Sequence, residues 1–99
     1  MKSVADYVSP ESLRSLATPA NLRLGEEIAK DEGVELVEFS PQLVTARVRP
    51  RGGLRRTVEL RSTEEGLTWR CTCTRRGLFC KHCVAAALTT RKKSPARRK

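Results

Sequence analysis

Thirteen residues, from Cys71 to Cys83, contain every cysteine and the only histidine of the sequence. No other stretch of the 99-residue chain combines thiol and imidazole groups in this way. Thiolates and imidazoles are the donors that hold Zn²⁺ in structural sites, usually four of them in a tetrahedron. The sequence therefore predicts one structural zinc ion, and a chain this short gains folding free energy from such an ion.

The spacing of these residues suits a strand followed by a helix. Residues 67–73 alternate as a β-strand does, and side chains two positions apart share a face, so Cys71 and Cys73 lie side by side at its end. A loop of six residues leads back to Cys80. The sequence from there to about Leu88 predicts a helix, which places the remaining candidate ligands in its first turn.

Five candidate ligands compete for four tetrahedral positions. Either Cys71, Cys73, Cys80 and His82 bind the ion, or Cys83 replaces His82 as an alternative fourth ligand, because Cys-x-x-Cys is also a common spacing. Spacing alone leaves both sets open. Disulfides, a redox pair and packing thiols explain the cluster less well, since we identify neither a signal peptide nor a βαβ unit in the sequence.

A known family matches this pattern. Cys71-x-Cys73, six residues and Cys80-x-His82, followed by a small apolar helix, resemble the SWIM zinc finger, whose pattern is CxC…CxH. Residues 22–88 as a whole resemble small stand-alone SWIM proteins of bacteria and archaea. The resemblance implies that the first of the two ligand sets binds the zinc. It also implies association with DNA or with other proteins, often beside helicases or recombination factors.

The N-terminal third of the chain predicts helices. Ser9-Pro10 and Thr18-Pro19 each place proline directly after a capping residue, which is a typical helix start. The second helix is expected to reach about Asp31 and to bury Leu24 and Ile28 on one stripe.

The middle of the chain predicts strands with short turns between them, at residues 34–39, 43–49, 54–61 and 67–73. The fold class is therefore α+β, with N-terminal helices, an antiparallel meander of three to four strands, a zinc knuckle and a C-terminal helix. We expect an N-terminal segment at residues 1–18, one zinc-binding domain at 19–90 with its finger at 67–90, and a disordered basic tail at 91–99.

Charge is distributed unevenly along the chain. Residues 1–40 carry four basic and eight acidic side chains, whereas residues 41–99 carry sixteen basic and three acidic ones. A strongly basic half favours an anionic partner, and we expect nucleic acid, with DNA as the first candidate. The predicted contacts are Arg47, Arg49, Arg51, Arg55, Arg56, Arg75, Arg76 and Lys81. Because aromatic side chains are few, these contacts would be made mainly to phosphates.

Two other functional classes compete with nucleic-acid binding. The chain is alternatively an adaptor whose acidic N-terminal half docks a protein partner such as a helicase or recombination factor. An enzyme is not expected, because the motif fills four zinc positions and contains neither Asp nor Glu. We also expect neither a membrane nor a small-molecule substrate as partner, and a cytoplasmic location, with the nucleoid as a possible site within it.

Overall fold

The computed structural model describes residues 3–73 and 78–93. Its elements, in chain order, are the helices α1 (Val4–Tyr7), α2 (Pro10–Leu16) and α3 (Pro19–Lys30), the strands β1 (Val34–Phe39), β2 (Leu43–Val48), β3 (Arg56–Thr63) and β4 (Gly66–Cys71), and the helix α4 (Lys81–Lys93). The strands form one antiparallel sheet in the order β1-β2-β3-β4. The predicted α+β class is confirmed, with four strands in the meander.

The first three helices begin at side-chain caps. The hydroxyl groups of Ser3, Ser9 and Thr18 each accept a hydrogen bond from the backbone N–H three residues later, and proline follows the last two caps. The two predicted helix starts are therefore confirmed. The sequence did not predict α1, a single turn closed by a capping box between Ser3 and Asp6.

Alternating burial on β2 and β3 builds one wall of the core. Val44, Ala46 and Val48 are fully buried on β2, as are Val58 and Leu60 on β3. Val44 lies opposite Leu60 and Ala46 opposite Val58, so these side chains share the inner face of the sheet. The N-terminal helices contribute to the same core cluster.

Helix α4 lies in the middle of the molecule, in contact with α3 on one side and with all four strands on the other. Every residue from His82 to Ala87 is buried, so this part of the helix has no solvent-exposed face. The helix also continues to Lys93, so the expected start of a disordered tail at Arg91 is wrong. Residues 94–99 lie outside the described residues. None of the described helices has the length and hydropathy required to cross a membrane.

Helix α3 packs on α4 at a glycine. A Cβ atom added to Gly25 would lie 2.5 Å from the Cβ of Val84 and 2.9 Å from the backbone oxygen of Lys81. The predicted stripe of α3 is right for Ile28, which is buried, and wrong for Leu24, which is 38% exposed. The crossing at Gly25 turns the helix so that Leu24 points away from the core.

Candidate metal centre

Two chain segments bring the predicted ligands together. Strand β4 ends at Cys71, which lies opposite Val58 of β3. Beyond the strand, Thr72 donates its backbone N–H to the carbonyl of Thr57 at 3.1 Å, and its Oγ1 accepts the N–H of Thr57 at 3.0 Å. The predicted strand is therefore two residues too long, but these hydrogen bonds hold the segment leading to Cys73 against β3. The other donors lie at the start of α4.

The donor atoms of this cluster fit a tetrahedral zinc ion. One donor atom each from Cys71, Cys73, Cys80 and His82 lies within 4.8 Å of all the others. The Sγ atoms of Cys73 and Cys80 are 3.6 Å apart, and Nδ1 of His82 is 3.7 Å from the Cys71 sulfur and 3.5 Å from the Cys80 sulfur. Ordinary zinc bond lengths require about 3.8 Å between two sulfurs and about 3.6 Å between sulfur and nitrogen.

A family comparison decides what this cluster is. Residues 55–90 match the model of the SWIM zinc finger family. The chain contains a SWIM zinc finger. Neither the curated proteins nor the solved structures include a significant match. The matched residues run from β3 through β4 to Thr90 of α4, and the finger has one structural zinc ion as its cofactor.

Cys83 lies behind the four donors of the SWIM finger. Its side chain is fully buried, and its Sγ is 3.9 Å from the Sγ of Cys80. It is not a member of the four-donor group. A thiol in this position can donate a hydrogen bond to a ligand sulfur without binding the metal. The choice of His82 over Cys83 as fourth ligand remains a prediction.

Sulfur contacts distribute charge unevenly in the metal-free cluster. Interaction with the Cys71 thiol, followed by that with the Cys83 thiol, holds the pKa of the Cys80 thiol far below its ordinary value. The same contact with Cys80 raises the pKa of Cys71 to about 12, and contact with Cys71 raises the pKa of Cys83. Cys80 lies directly before the N-terminus of α4, where the helix dipole also favours the thiolate.

An aromatic contact joins the two chain segments that carry the candidate zinc ligands. Phe79 is almost fully buried, and its ring meets Trp69 edge to face, with centroids 5.1 Å apart. Trp69 packs against the hydrophobic core cluster. Neither ring is presented as an exposed platform on which a base would stack.

The predicted nucleic-acid contacts divide between two surfaces, and Arg75 and Arg76 lie outside the described residues. The first surface, here called the β2–β3 groove, has a volume of about 550 Å³ and is lined by Arg47, Arg49, Arg51 and Arg55 together with Asp31, Glu32 and Glu35. Arg51 pairs with Asp31 at 3.4 Å, and Arg47 lies opposite Glu35 in the sheet. Carboxylates therefore offset much of the positive charge in the groove.

The second surface, here called the zinc cleft, lies between the first turns of α3 and the zinc ligands, with a volume of about 510 Å³. It contains the two other predicted contacts, Arg56 and Lys81, and none of the described residues that line it is acidic. Leu24 and Leu78 also line it, and sequence reasoning missed both as surface residues. The cleft forms where α3, the start of β3 and the segments with the zinc ligands come together in the fold, so no local sequence signal marks it.

Proposed function

We propose that this SWIM finger binds nucleic acid, with DNA as the preferred form, through exposed and half-buried cationic side chains at its surface. The supporting observation is that, within the described residues, Arg51 is the only one of the predicted contacts in an ion pair. An exposed cation without a carboxylate partner is available to a phosphate, and such contacts provide affinity with little sequence information.

The same proposal makes the finger non-catalytic. A catalytic zinc keeps one position open for water or substrate and usually has a carboxylate base nearby. Here three sulfurs and one imidazole nitrogen supply four donors. The zinc cleft, which is the open space beside these donors, has no carboxylate among the lining residues that the structure describes. These features support a structural role for the ion.

A protein adaptor is the second candidate. Strand β1 is at the edge of the sheet, and its Val37 and Phe39 are 51% and 45% exposed. An edge strand with exposed apolar side chains can pair with a strand of another protein. Under this alternative, the partner belongs to a DNA-processing complex, and the finger alone binds nucleic acid weakly.

Fluorescence anisotropy tests the choice between the two candidates. Zinc-loaded protein would be titrated into labelled single-stranded DNA, duplex DNA and RNA over a salt series, and again after removal of residues 94–99, beyond the end of α4. We expect saturable binding that weakens steeply with salt and persists without those residues. Absence of binding to all three probes would overturn the proposal in favour of the adaptor.

A further inference from the structure

His82 lines the zinc cleft, and one of its two ring nitrogens is not needed to bind the metal. The ring of His82 directs Nδ1 toward the sulfurs of Cys71 and Cys80, so zinc ligation at Nδ1 leaves the hydrogen on Nε2. Zinc-bound histidine ordinarily donates this second N–H to an oxygen acceptor. The side chain is only 7% exposed, and no acceptor for Nε2 is found among the described residues.

The unused N–H lies at the surface of the protein. In the described part of the chain, no fully buried side-chain nitrogen or oxygen lacks a hydrogen-bond partner. An Nε2 atom without a protein acceptor therefore reaches the surface, and the surface that His82 lines is the zinc cleft. Because His82 lines the zinc cleft, we place this donor in the cleft wall, where an oxygen atom of a ligand can accept from it.

Two cations reinforce this donor. Arg56 is held in place by a hydrogen bond from Nη1 to the carbonyl of Thr72 at 3.3 Å, which leaves its other N–H groups free to act. Lys81 lines the same cleft. Three thiolates and one Zn²⁺ leave a single negative formal charge, which the two cations exceed. By the same count the β2–β3 groove, with four arginines and three carboxylates, has an equal net charge, but the described lining of the cleft places no carboxylate beside an incoming anion.

The cleft also offers apolar surface. Leu24 is 38% exposed and Leu78 is 37% exposed, and both line it. A small inorganic anion gains nothing from such walls. A nucleotide does, because the sugar and base next to its phosphate can cover apolar side chains.

We infer that the zinc cleft is the nucleic-acid site of this finger. It takes one backbone phosphate on His82 Nε2–H, Arg56 and Lys81, with the adjoining sugar or base against Leu24 and Leu78. This inference rests on the proposed function, and it assigns the principal contacts to the cleft rather than to the β2–β3 groove.

The first test compares two pairs of substitutions that remove equal charge. Arg56→Gln/Lys81→Gln alters the cleft and Arg47→Gln/Arg49→Gln alters the groove, so a purely long-range electrostatic effect weakens binding equally in both. We expect the cleft pair to weaken binding of a labelled ten-nucleotide thymidine strand about tenfold and to lower the salt slope by about 1.5, and the groove pair to weaken it no more than about twofold. Equal losses, or a larger loss in the groove pair, would overturn the inference.

A second pair of variants tests the cleft without changing Arg56, whose substitution could also disturb the fold. Arg56 also contacts Thr72, so each variant must retain one zinc and the wild-type circular dichroism spectrum. Leu24→Glu adds a carboxylate to the cleft, and Leu54→Glu adds one at a side chain that is 71% exposed outside it. We expect only Leu24→Glu to cause a loss of about tenfold. Unchanged binding by a folded Leu24→Glu protein would contradict the cleft site.

The single histidine provides a direct spectroscopic test. Since His82 is the only histidine of the chain, the imidazole signals of ¹⁵N-labelled protein all belong to it, and the protonated Nε2 is distinguished from the metal-bound Nδ1 by its attached hydrogen. Titration with the thymidine strand is expected to shift this resonance to saturation, in step with the anisotropy. Binding without such a shift overturns the cleft site alone. A shift with inorganic phosphate but none with the strand identifies a free-anion site and also overturns the inference.

Failure of the proposed function gives a different result. If wild-type protein binds no nucleic-acid probe at any salt concentration, the proposed function and the cleft inference both fall. If wild-type protein binds and the folded cleft variants bind equally well, only the cleft inference falls.

Discussion

Helices α3 and α4 have almost the same length, 12 and 13 residues, yet they are buried in opposite ways. Helix α3 buries only Gly25 and Ile28 along one stripe, whereas α4 is buried through six consecutive residues and again at Thr90. Alanine at three of those positions lets the sheet and α3 approach α4 from two sides, but each alanine contributes little hydrophobic free energy. We therefore expect the central helix to depend on the zinc ion before it.

Zinc removal is expected to have the largest effect, because it releases the start of α4 from the end of β4. Structural zinc contributes about 10–16 kcal/mol of binding free energy in small fingers, comparable with or larger than the 5–15 kcal/mol stability of a typical domain. We expect a chelator to abolish the dispersed amide NMR signals of α4 and of α3, which packs on it. Added zinc should restore them. Unchanged α4 signals in metal-free protein would show that packing alone holds the central helix.

Substitution of single cysteines distinguishes the ligands from the thiol behind them. Cys80→Ser is expected to abolish stoichiometric zinc binding, since the Cys80 sulfur is within 3.6 Å of another donor sulfur and of Nδ1 of His82. Cys83→Ala should retain one zinc per chain and cost on the order of 1 kcal/mol through lost packing. Native mass spectrometry measures both. Zinc loss from Cys83→Ala combined with zinc retention by His82→Ala would reverse the fourth-ligand assignment.

Ile28 and Leu24, the two residues predicted for the buried stripe of α3, should give the next largest difference, in the free energy of unfolding. Ile28→Ala is expected to lower the free energy of unfolding by about 2–5 kcal/mol, because the side chain is 6% exposed. Leu24→Ala should cost less than about 1 kcal/mol, because this side chain lies at the surface. Urea unfolding of the zinc-loaded proteins measures both values. Equal losses would mean that Leu24 belongs to the core, as the sequence pattern indicates.

Sequence reasoning predicted the sheet and the ligand cluster because their signals are local. Alternating residues on β2 and β3 identify the inner face of the sheet without knowledge of what covers it. All candidate ligands fall between Cys71 and Cys83, so a short motif contains the whole site. The exposure of Leu24 and the burial of α4 on two sides depend instead on contacts between distant segments. The zinc cleft was unpredictable for the same reason.

At Gly25 the packing of α3 on α4 outweighs the helix propensity of the residue. In an isolated helix, Gly→Ala stabilises by about 0.5–1 kcal/mol. Here the added methyl group would meet Val84 and the backbone oxygen of Lys81, so we expect Gly25→Ala to destabilise the zinc-loaded protein by about 1–3 kcal/mol. Urea unfolding measures the sign of the change.

A double-mutant cycle with Val84→Ala tests whether contact with Val84 is the reason that Gly25→Ala destabilises the protein. The second substitution removes Cγ1, which lies 2.5 Å from the added methyl group, but leaves the Val84 Cβ and the Lys81 oxygen in place. Rescue of Gly25→Ala should therefore be partial, with a favourable coupling energy on the order of 1 kcal/mol. Strict additivity would show that α3 moves away from α4 as a unit. A stabilised Gly25→Ala protein would show that the close crossing of the two helices contributes nothing to holding α4 in the core.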